Sequence, residues 1–336
     1  LVRTTEDALT RAERWMEENS LRLEPSKTEA VLLIGGRRPR PISFRLGNNT
    51  ITPQRELKYL GIFLDQKMNF SSHVLRATAK AEKLTAMLAR LMPNLGGPSS
   101  IKRKLLAAVT TSVVLYGAEI WAEDLKKKKD LEILQRTQRR VLIRVIAAYR
   151  TISADAAQVI AGALPIDLLV AERVRLWKGK TTGLTRVEAR KEIEAEWQRR
   201  WIEGGKGEWT RQLIPQIERW ARRKHGNVDF HLTQVLSGHG CFASFLKKIG
   251  KKNTDSCWYC PDRDDAEHTL FRCPRWDGLR LEVMQKTAEW PEKENLVDLM
   301  LRSKEDWEAI AGMARKIMRT KEADERRLES GLTLTP

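Results

Sequence analysis

The hydrophobic pattern of the first 70 residues predicts one helix packed over a few short antiparallel strands. Ala8, Leu9, Ala12, Trp15 and Met16 recur at helical spacing, which predicts an amphipathic helix. Short apolar or alternating runs, separated by turn residues, indicate strands. These runs lie at 30–34, 42–46, 50–51, 57–59 and 61–64. The N-terminal part is therefore predicted to be α/β.

From His73 onward the apolar positions follow a helical period, which predicts a mainly α fold for the rest of the chain. A helix is predicted from about Ser100 to Trp121, and it is apolar on most sides, so we expect it to be central. The longest uncharged stretch, 105–118, falls within it and has 14 residues. Because a membrane-spanning helix needs ~20 apolar residues, we interpret this stretch as a buried helix and expect no membrane partner.

The next predicted helix, between residues 131 and 145, has an apolar face and a basic one. Arg136, Arg140 and Arg144 lie four residues apart on the basic face. A solvated surface is the simple interpretation of such a charged face. Three stacked arginines without acidic partners repel one another, however, and a phosphate backbone would relieve that repulsion. These arginines are therefore candidates for nucleic-acid binding.

Residues 172–230 are predicted to form amphipathic helices separated by a glycine-rich turn at 203–207. Their tryptophans could stack on bases, but three- and four-residue spacing favours packing in a core. The tryptophans of this region are Trp177, Trp197, Trp201, Trp209 and Trp220. Beyond Trp276 the pattern predicts one or two polar helices.

The charge balance points to a polyanionic partner. The chain has 61 Lys+Arg and 44 Asp+Glu, a net charge of +17, which favours nucleic acid. A basic but merely solvated surface and an acidic membrane surface are the alternatives, although no stretch resembles an anchor or a signal peptide. Since the chain begins with Leu1 rather than Met, we expect it to be truncated or processed.

Cysteine and histidine spacing predicts a metal site. Cys257, Cys260, His268 and Cys273 follow the spacing C-x2-C-x7-H-x4-C, a set suited to tetrahedral Zn²⁺. Four protein ligands leave no position for water, so the zinc should be structural, and so short a segment hardly folds without it. A Cys257–Cys260 redox pair and unligated thiols are the alternatives. Cys241 is either a further ligand or, as we favour, a small buried residue.

Clustered cysteines of this kind indicate a reducing compartment, so we expect a nuclear and cytoplasmic location. Three aromatic residues lie beside the predicted ligands: Trp258, Tyr259 and Trp276. Because zinc knuckles commonly present aromatic rings to unpaired bases, we predict that these residues stack on nucleic acid.

Four segments carry a family resemblance. Leu21–Glu29 resembles the loop after the catalytic strand pair of non-LTR retrotransposon reverse transcriptases, and Leu57–Ile62 resembles their primer-grip hairpin. Ser112–Trp121 is similar to the helical region after the palm. Gln234–Gly240, followed by the knuckle, resembles the C-terminus of arthropod elements that insert into ribosomal RNA genes. The segments occur in the family's order, and the resemblance extends to about Trp276.

The resemblance implies RNA-directed DNA synthesis by target-primed reverse transcription, on an RNA template and a target DNA. The family's two Mg²⁺ ions are held by aspartates of a Tyr/Phe-Ala-Asp-Asp motif, which would lie upstream of Leu1. This chain alone is therefore expected to be inactive, and the parent's endonuclease is likewise expected outside it.

The resemblance also implies roles for four residues of the N-terminal part. Lys27 matches the family's lysine that helps pyrophosphate to leave; a plain cation at the start of a strand is the alternative. Tyr59, Leu60 and Gly61 would hold the primer end, with Gly61 permitting close backbone approach.

The predicted organisation has five parts: a palm remnant at 1–70, a helical thumb at 71–170, a basic helical connector at 171–232, a CCHC zinc knuckle at 233–280 and a helical tail at 281–336. The predicted fold is thus mainly α with a small α/β part at the N-terminus. Two other functions stay open, namely a non-enzymatic zinc-dependent nucleic-acid-binding protein and a zinc-stabilised scaffold for an acidic partner. The oligomeric state is left open.

Overall fold

A computed structural model describes residues 1–34, 41–123 and 128–332. Contacts between Cα atoms divide the chain into two compact units. Unit 1 comprises Leu1–Ala77 and Gly117–Leu131, and unit 2 comprises Thr78–Tyr116 and Glu132–Pro336.

The described residues form four strands and are otherwise mainly helical. The strands are β1 (Phe44–Leu46), β2 (Asn49–Ile51), β3 (Glu56–Tyr59) and β4 (Ile62–Asp65). The α-helices are α1 (Val2–Glu18), α2 (Ser71–Ala89), α3 (Ser100–Val114), α4 (Ala118–Trp121), α5 (Lys128–Val145), α6 (Ala154–Ala161), α7 (Ile166–Lys178), α8 (Arg186–Glu203), α9 (Glu208–Leu213), α10 (Ile217–Ala221), α11 (Phe230–Ser237), α12 (Ala243–Lys248), α13 (Asp277–Thr287), α14 (Leu296–Arg302) and α15 (Lys304–Glu329). Short 3-10 turns occupy Pro25–Lys27, Gly179–Thr181 and Pro274–Trp276, and His268–Arg272 is π-helical.

Unit 1 contains two antiparallel hairpins, as the alternating pattern predicts. β1 pairs with β2 and β3 pairs with β4. Phe44, Leu46 and Ile51 form a small core, against which Val2 and Leu9 of α1 pack.

The predicted strand at 30–34 is wrong. Val31 forms only an isolated bridge with Gln54, and the amide of Ile34 donates to the carbonyl of Gln66 at 2.8 Å. Because the segment meets different partners at separate points, no continuous ladder forms along it.

The expected central helix also differs from the structure. It breaks after α3 at Gly117, whose φ is +63°. Along α3, Ile101, Leu105 and Val109 are 60%, 74% and 49% exposed, whereas Ala107, Thr110 and Val114 are buried. The prediction of burial is therefore right for one face of the helix and wrong for the other.

A buried arginine explains which face of α3 turns inward. The Arg103 guanidinium is 4% exposed and donates to the carbonyls of Pro93 at 2.6 Å, Pro98 at 2.7 Å and Arg144 at 3.0 Å. A buried polar group must be hydrogen-bonded, and these carbonyls are available on one side only. The apolar residues of the opposite face therefore remain exposed.

Unit 2 is built around one continuous core that extends from Ala107 to Met318. Trp197, Trp201 and Trp220 are buried in it, which confirms the prediction that these tryptophans pack rather than project. Trp177 differs, being 51% exposed.

The last helix is not a polar tail, contrary to the prediction. Trp307, Ile310, Ala314 and Ile317 of α15 are at most 1% exposed. Charged residues occupy most other positions of α15, so the helix is polar on average. Its apolar residues nevertheless form a stripe at helical spacing. α15 packs against α11, α13 and α14 and is therefore part of the core.

Among the described residues no single helix is long and apolar enough to cross a membrane. Ala154–Ala161 and Ile166–Thr181 reach that length and composition only when taken together across a 64° bend.

Replacing Gly226 by alanine should destabilise the chain more than replacing Gly183. Both glycines have left-handed φ values, +83° and +75°, so each substitution carries about 1–2 kcal/mol of backbone strain. A Cβ at Gly226 would also overlap the Trp307 ring, whereas one at Gly183 meets nothing within 4 Å. We expect Gly226→Ala to cost about 1–3 kcal/mol more than Gly183→Ala in urea unfolding. Equal losses would contradict the packing of Trp307 against this turn.

Candidate metal centre

The first two candidate ligands lie on a tight hairpin. Ser256 and Arg263 form an antiparallel bridge, and the Cys257 amide donates to the Asp262 carbonyl at 2.8 Å. The amide of Tyr259 points at the Cys257 sulfur, 3.5 Å away. The turn thereby directs the thiols of Cys257 and Cys260 toward one point.

The other two ligands come from the π-helical segment. Its wide turn joins the Cys273 amide to the His268 carbonyl at 2.8 Å. His268 and Cys273, five residues apart, flank this turn, and both are buried. Pro274 then begins a 3-10 turn that leads into α13.

The four side chains converge on a volume that fits one metal ion. One ligand atom from each of Cys257, Cys260, His268 and Cys273 lies within 4.8 Å of all the others. The sulfurs of Cys257 and Cys273 are 3.9 Å apart, and the Cys260 sulfur lies 3.2 Å from Nε2 of His268. A tetrahedron with zinc–sulfur bonds of ~2.3 Å has edges of ~3.8 Å. This Cys3His set could therefore hold a zinc ion, with no open position for a reacting molecule.

Local hydrogen bonds prepare a thiolate. The contact between the Cys257 and Cys273 sulfurs lowers the pKa of Cys257 to about 5 and raises the pKa of Cys273, while burial acts to raise the pKa of both thiols. A thiolate is the form that binds a metal.

Cys241 does not belong to the cluster. It is 5% exposed, and its sulfur lies 3.9 Å from a carboxylate oxygen of Glu325. Burial raises the pKa of its thiol. The interpretation of Cys241 as a small buried residue is confirmed, and its alternative role as a ligand is wrong.

A buried ion pair fixes the loop between the ligands to α15. Asp264 and Lys321 both have fully buried side chains, and Nζ of Lys321 lies 2.6 Å from Oδ1 of Asp264. Thr269 donates to the same oxygen at 2.6 Å, and the amide of Ala243 donates to Oδ2 at 2.7 Å. Both carboxylate oxygens of Asp264 are therefore hydrogen-bonded, as burial of a polar group requires.

Two further contacts position the ligands. The hydroxyl of Tyr259 donates to buried Asp324 at 2.7 Å, three residues after Lys321 on α15. Arg280, which is 1% exposed, donates to the carbonyl of Cys273 at 2.6 Å and to that of Leu270 at 3.2 Å. α13 and α15 thus hold both halves of the cluster.

Comparison with known proteins places the chain in a family. No family model and no solved structure matches it. It is 30% identical over 288 residues to the "Retrovirus-related Pol polyprotein from type-1 retrotransposable element R1" of Bradysia coprophila, a match covering 79% of this chain. The R1 2 and R1 4 Pol polyproteins of Nasonia vitripennis are 27% and 25% identical to it, over 80% and 88% of this chain. The chain belongs to the R1 retrotransposon Pol polyproteins.

The matches differ in how much of each relative they span. The chain covers 29% of the length of the Bradysia R1 protein, and 71% and 78% of the two Nasonia proteins. The resemblance of the chain to non-LTR retrotransposon Pol proteins is thereby confirmed, whereas the activity of a whole R1 polyprotein remains a matter for proposal.

Three of the four residues that the family resemblance singles out in unit 1 are exposed, and Gly61 is partly buried. Lys27 ends the 3-10 turn, which Glu24 caps by accepting from the Ser26 amide. Tyr59 and Leu60 are 60% and 75% exposed at the tip of the β3–β4 hairpin. Their predicted roles stay predictions.

The basic face of α5 is only partly as expected. Arg136 and Arg140 are exposed, but Arg140 pairs with Glu82 at 2.6 Å, so the expectation that the arginines lack acidic partners is wrong for it. The acid comes from α2, a separate helix, which sequence spacing does not reveal. Arg144 is partly buried, and its carbonyl accepts from Arg103.

The aromatic residues beside the ligands pack largely against other parts of the protein. Trp276 is 4% exposed, so its predicted stacking on bases is wrong: the ring packs against Tyr259, with centroids 5.2 Å apart. Trp258 and Tyr259 are partly buried against the core, and Nζ of Lys252 lies 4.1 Å from the Trp258 ring. Base stacking by Trp258 and Tyr259 stays a prediction.

Sequence reasoning missed the supporting residues Asp264, Arg280, Lys321 and Asp324. The only available signal is local: Asp264 is an acidic residue inside a ligand loop. Its partner Lys321 lies 57 residues further along the chain, in a helix crowded with other charges.

The purified chain should contain about one zinc ion, because the cluster offers four ligands for one tetrahedron. Cys260→Ser should lose most of this zinc, while Cys241→Ser, a control outside the cluster, should retain it. Inductively coupled plasma mass spectrometry of the dialysed proteins measures the number of zinc ions per chain. A Cys260→Ser protein that keeps the full zinc content would show that these residues are not the ligands.

Lys321→Met should destabilise unit 2 by about 3–5 kcal/mol, because it leaves the buried Asp264 carboxylate without its partner. Lys316→Met is the matched control on the same helix: the side chains of Lys316 and its partner Glu282 are 59% and 50% exposed, so solvent screens their pair and its loss should cost much less. Chemical denaturation of the zinc-loaded proteins compares the two. Similar losses of unfolding free energy from both substitutions would mean that the buried pair stabilises unit 2 no more than the exposed pair does.

Proposed function

We propose that this chain supplies nucleic-acid binding within an R1 Pol polyprotein, and that the whole polyprotein carries out RNA-directed DNA synthesis by target-primed reverse transcription. The observation that carries the proposal is the similarity to R1 Pol polyproteins over about four-fifths of the chain. The net charge of +17 supports it, since RNA template and target DNA are both polyanions.

In this proposal zinc is structural. The ion would bind Cys257, Cys260, His268 and Cys273 and hold the loop against α15. The loop's own chemistry is then limited to presenting side chains, among them Trp258, to a nucleic acid. The zinc knuckle would thus bind nucleic acid through its shape and charge and would not catalyse a reaction.

Unit 1 would handle the primer end as part of a polymerase palm, and the helices of unit 2 would include the thumb, the basic connector and the knuckle. The support is the hairpin tip, where Leu60 and Gly61 have φ values of +47° and +89°. Left-handed backbone at a non-glycine residue is strained, and such strain concentrates at functional sites. Lys27 would assist the leaving pyrophosphate, and Mg²⁺ would bind aspartates outside this chain.

A second candidate is a non-enzymatic zinc-dependent nucleic-acid-binding protein. It is supported by the Cys3His cluster and the net charge of +17, neither of which requires a polymerase. Polymerase activity on joining a palm that carries this motif would support the first candidate, and its failure would favour the second.

Binding to single-stranded RNA should weaken steeply with salt, by about 0.7 in log K per log unit of salt for each phosphate contacted. Arg136 is exposed and forms no ion pair with a described residue, so Arg136→Gln should lower that slope by about 0.7. Arg199→Gln is the control, since Arg199 already pairs with Glu196 and Glu203. Fluorescence anisotropy with a labelled 20-nucleotide RNA measures the slope. A wild-type affinity that is insensitive to salt would contradict nucleic-acid binding.

A further inference from the structure

Unit 2 contains a basic cavity that is separate from the zinc cluster. Its volume is about 460 Å³, and it lies where the segments before α6, α9 and α12 meet. Three cations line it, Lys206, Lys248 and Arg263, together with the imidazole of His239. We refer to this cavity as the basic pocket.

The cations of the basic pocket are poorly compensated. Lys206 and Lys248 are exposed, and neither forms an ion pair with any residue that the structure describes. Arg263 is 68% exposed, and its Nε lies 3.6 Å from a carboxylate oxygen of Asp255. Glu208 is the acidic side chain among the described lining residues, and the carboxylate of Asp155, outside the lining, also attracts Lys206 from beyond ion-pair distance. The pocket therefore carries an excess of positive charge that an anion would offset.

Neutral polar groups complete the pocket. The hydroxyl of Thr151 lies 2.9 Å from Nδ1 of His239, whose ring packs against Phe245 with centroids 4.7 Å apart. Burial, and then the charge of Lys248, lowers the pKa of His239 below its usual value, so the imidazole stays neutral at pH 7. Hydroxyls of Ser153 and Ser244 also line the space. Hydroxyl and imidazole groups beside lysines suit an oxygen-rich ligand.

The glycine-rich turn leaves room for such a ligand. A Cβ at Gly207 would lie 3.3 Å from the Ser153 hydroxyl, so a side chain there would crowd the wall of the pocket. Gly205 has nothing within 4 Å of its Cβ position. A ligand oxygen can therefore approach the backbone of this turn closely.

We propose that the basic pocket holds a phosphodiester group of a nucleic-acid backbone, which places the backbone beside the zinc loop. The proposal rests on the nucleic-acid-binding function above and adds a specific site to it. Exposed cations around an open pocket suit a polymer that passes over the surface. Arg263 follows the ligand Cys260 by three residues, so the zinc loop positions one of the three cations.

The test compares Lys206→Gln/Lys248→Gln with the single variants and with Lys224→Gln, an exposed lysine outside the pocket. All four substitute surface lysines in the full zinc-loaded chain, and circular dichroism verifies their fold. Anisotropy with a labelled 12-nucleotide RNA is recorded against salt. Each pocket substitution should weaken binding roughly fivefold at 0.1 M salt and lower the slope by about 0.7, and the double variant should show about twice that slope change. Lys224→Gln should resemble the wild type.

Three outcomes would overturn the proposal, and they differ from one another. Wild-type binding with pocket variants that match Lys224→Gln would refute the pocket and leave the proposed function standing. No RNA binding by the wild type would refute both. A thermal shift with inorganic phosphate that the double variant abolishes, while its RNA binding stays unchanged, would make the pocket a site for free phosphate instead.

Discussion

The structure of unit 2 depends on how a segment of 17 residues, from Cys257 to Cys273, is held in shape. A segment of this length has too few apolar side chains to form its own core. It is constrained from inside by the four side chains that could hold zinc, and from outside by the ion pair between Asp264 and Lys321. Removing two charges from water is costly, and here the cost is offset because the carboxylate accepts hydrogen bonds from Lys321, Thr269 and the amide of Ala243.

The same contacts fix the position of α15. Lys321 and Asp324 are three residues apart on one face, and each bonds to a different part of the ligand loop. Rotating the helix by one residue would direct both side chains away from their partners, because neighbouring positions on a helix differ by about 100°. The buried charges therefore specify one packing of α15, whose apolar stripe alone would tolerate several. The candidate metal centre and the core of unit 2 are consequently parts of one structure.

The sequence was informative where a pattern is local. The spacing of Cys257, Cys260, His268 and Cys273 is sufficient to predict that they converge, since each pair comes from a single turn. The alternation around β1 to β4 likewise predicts two hairpins. Prediction failed where a distant polar group decides the outcome: Arg103 selects the inward face of α3, and Lys321 brings a charged helix into the core. In 30–34 the residue types favour a strand, but within the described ranges the segment forms only isolated contacts, with Gln54 and Gln66.

The buried contacts between the ligand loop and α15 imply that the two unfold as one cooperative unit. Hydrogen–deuterium exchange before and after removal of zinc by a chelator tests it most directly, with α8 as the internal reference because it packs against α7 and α10. Amides of Lys304–Glu329 should lose protection together with those of the loop, while those of α8 change less. If the loop exchanges freely and α15 keeps its full protection, the two unfold independently and do not form one cooperative unit.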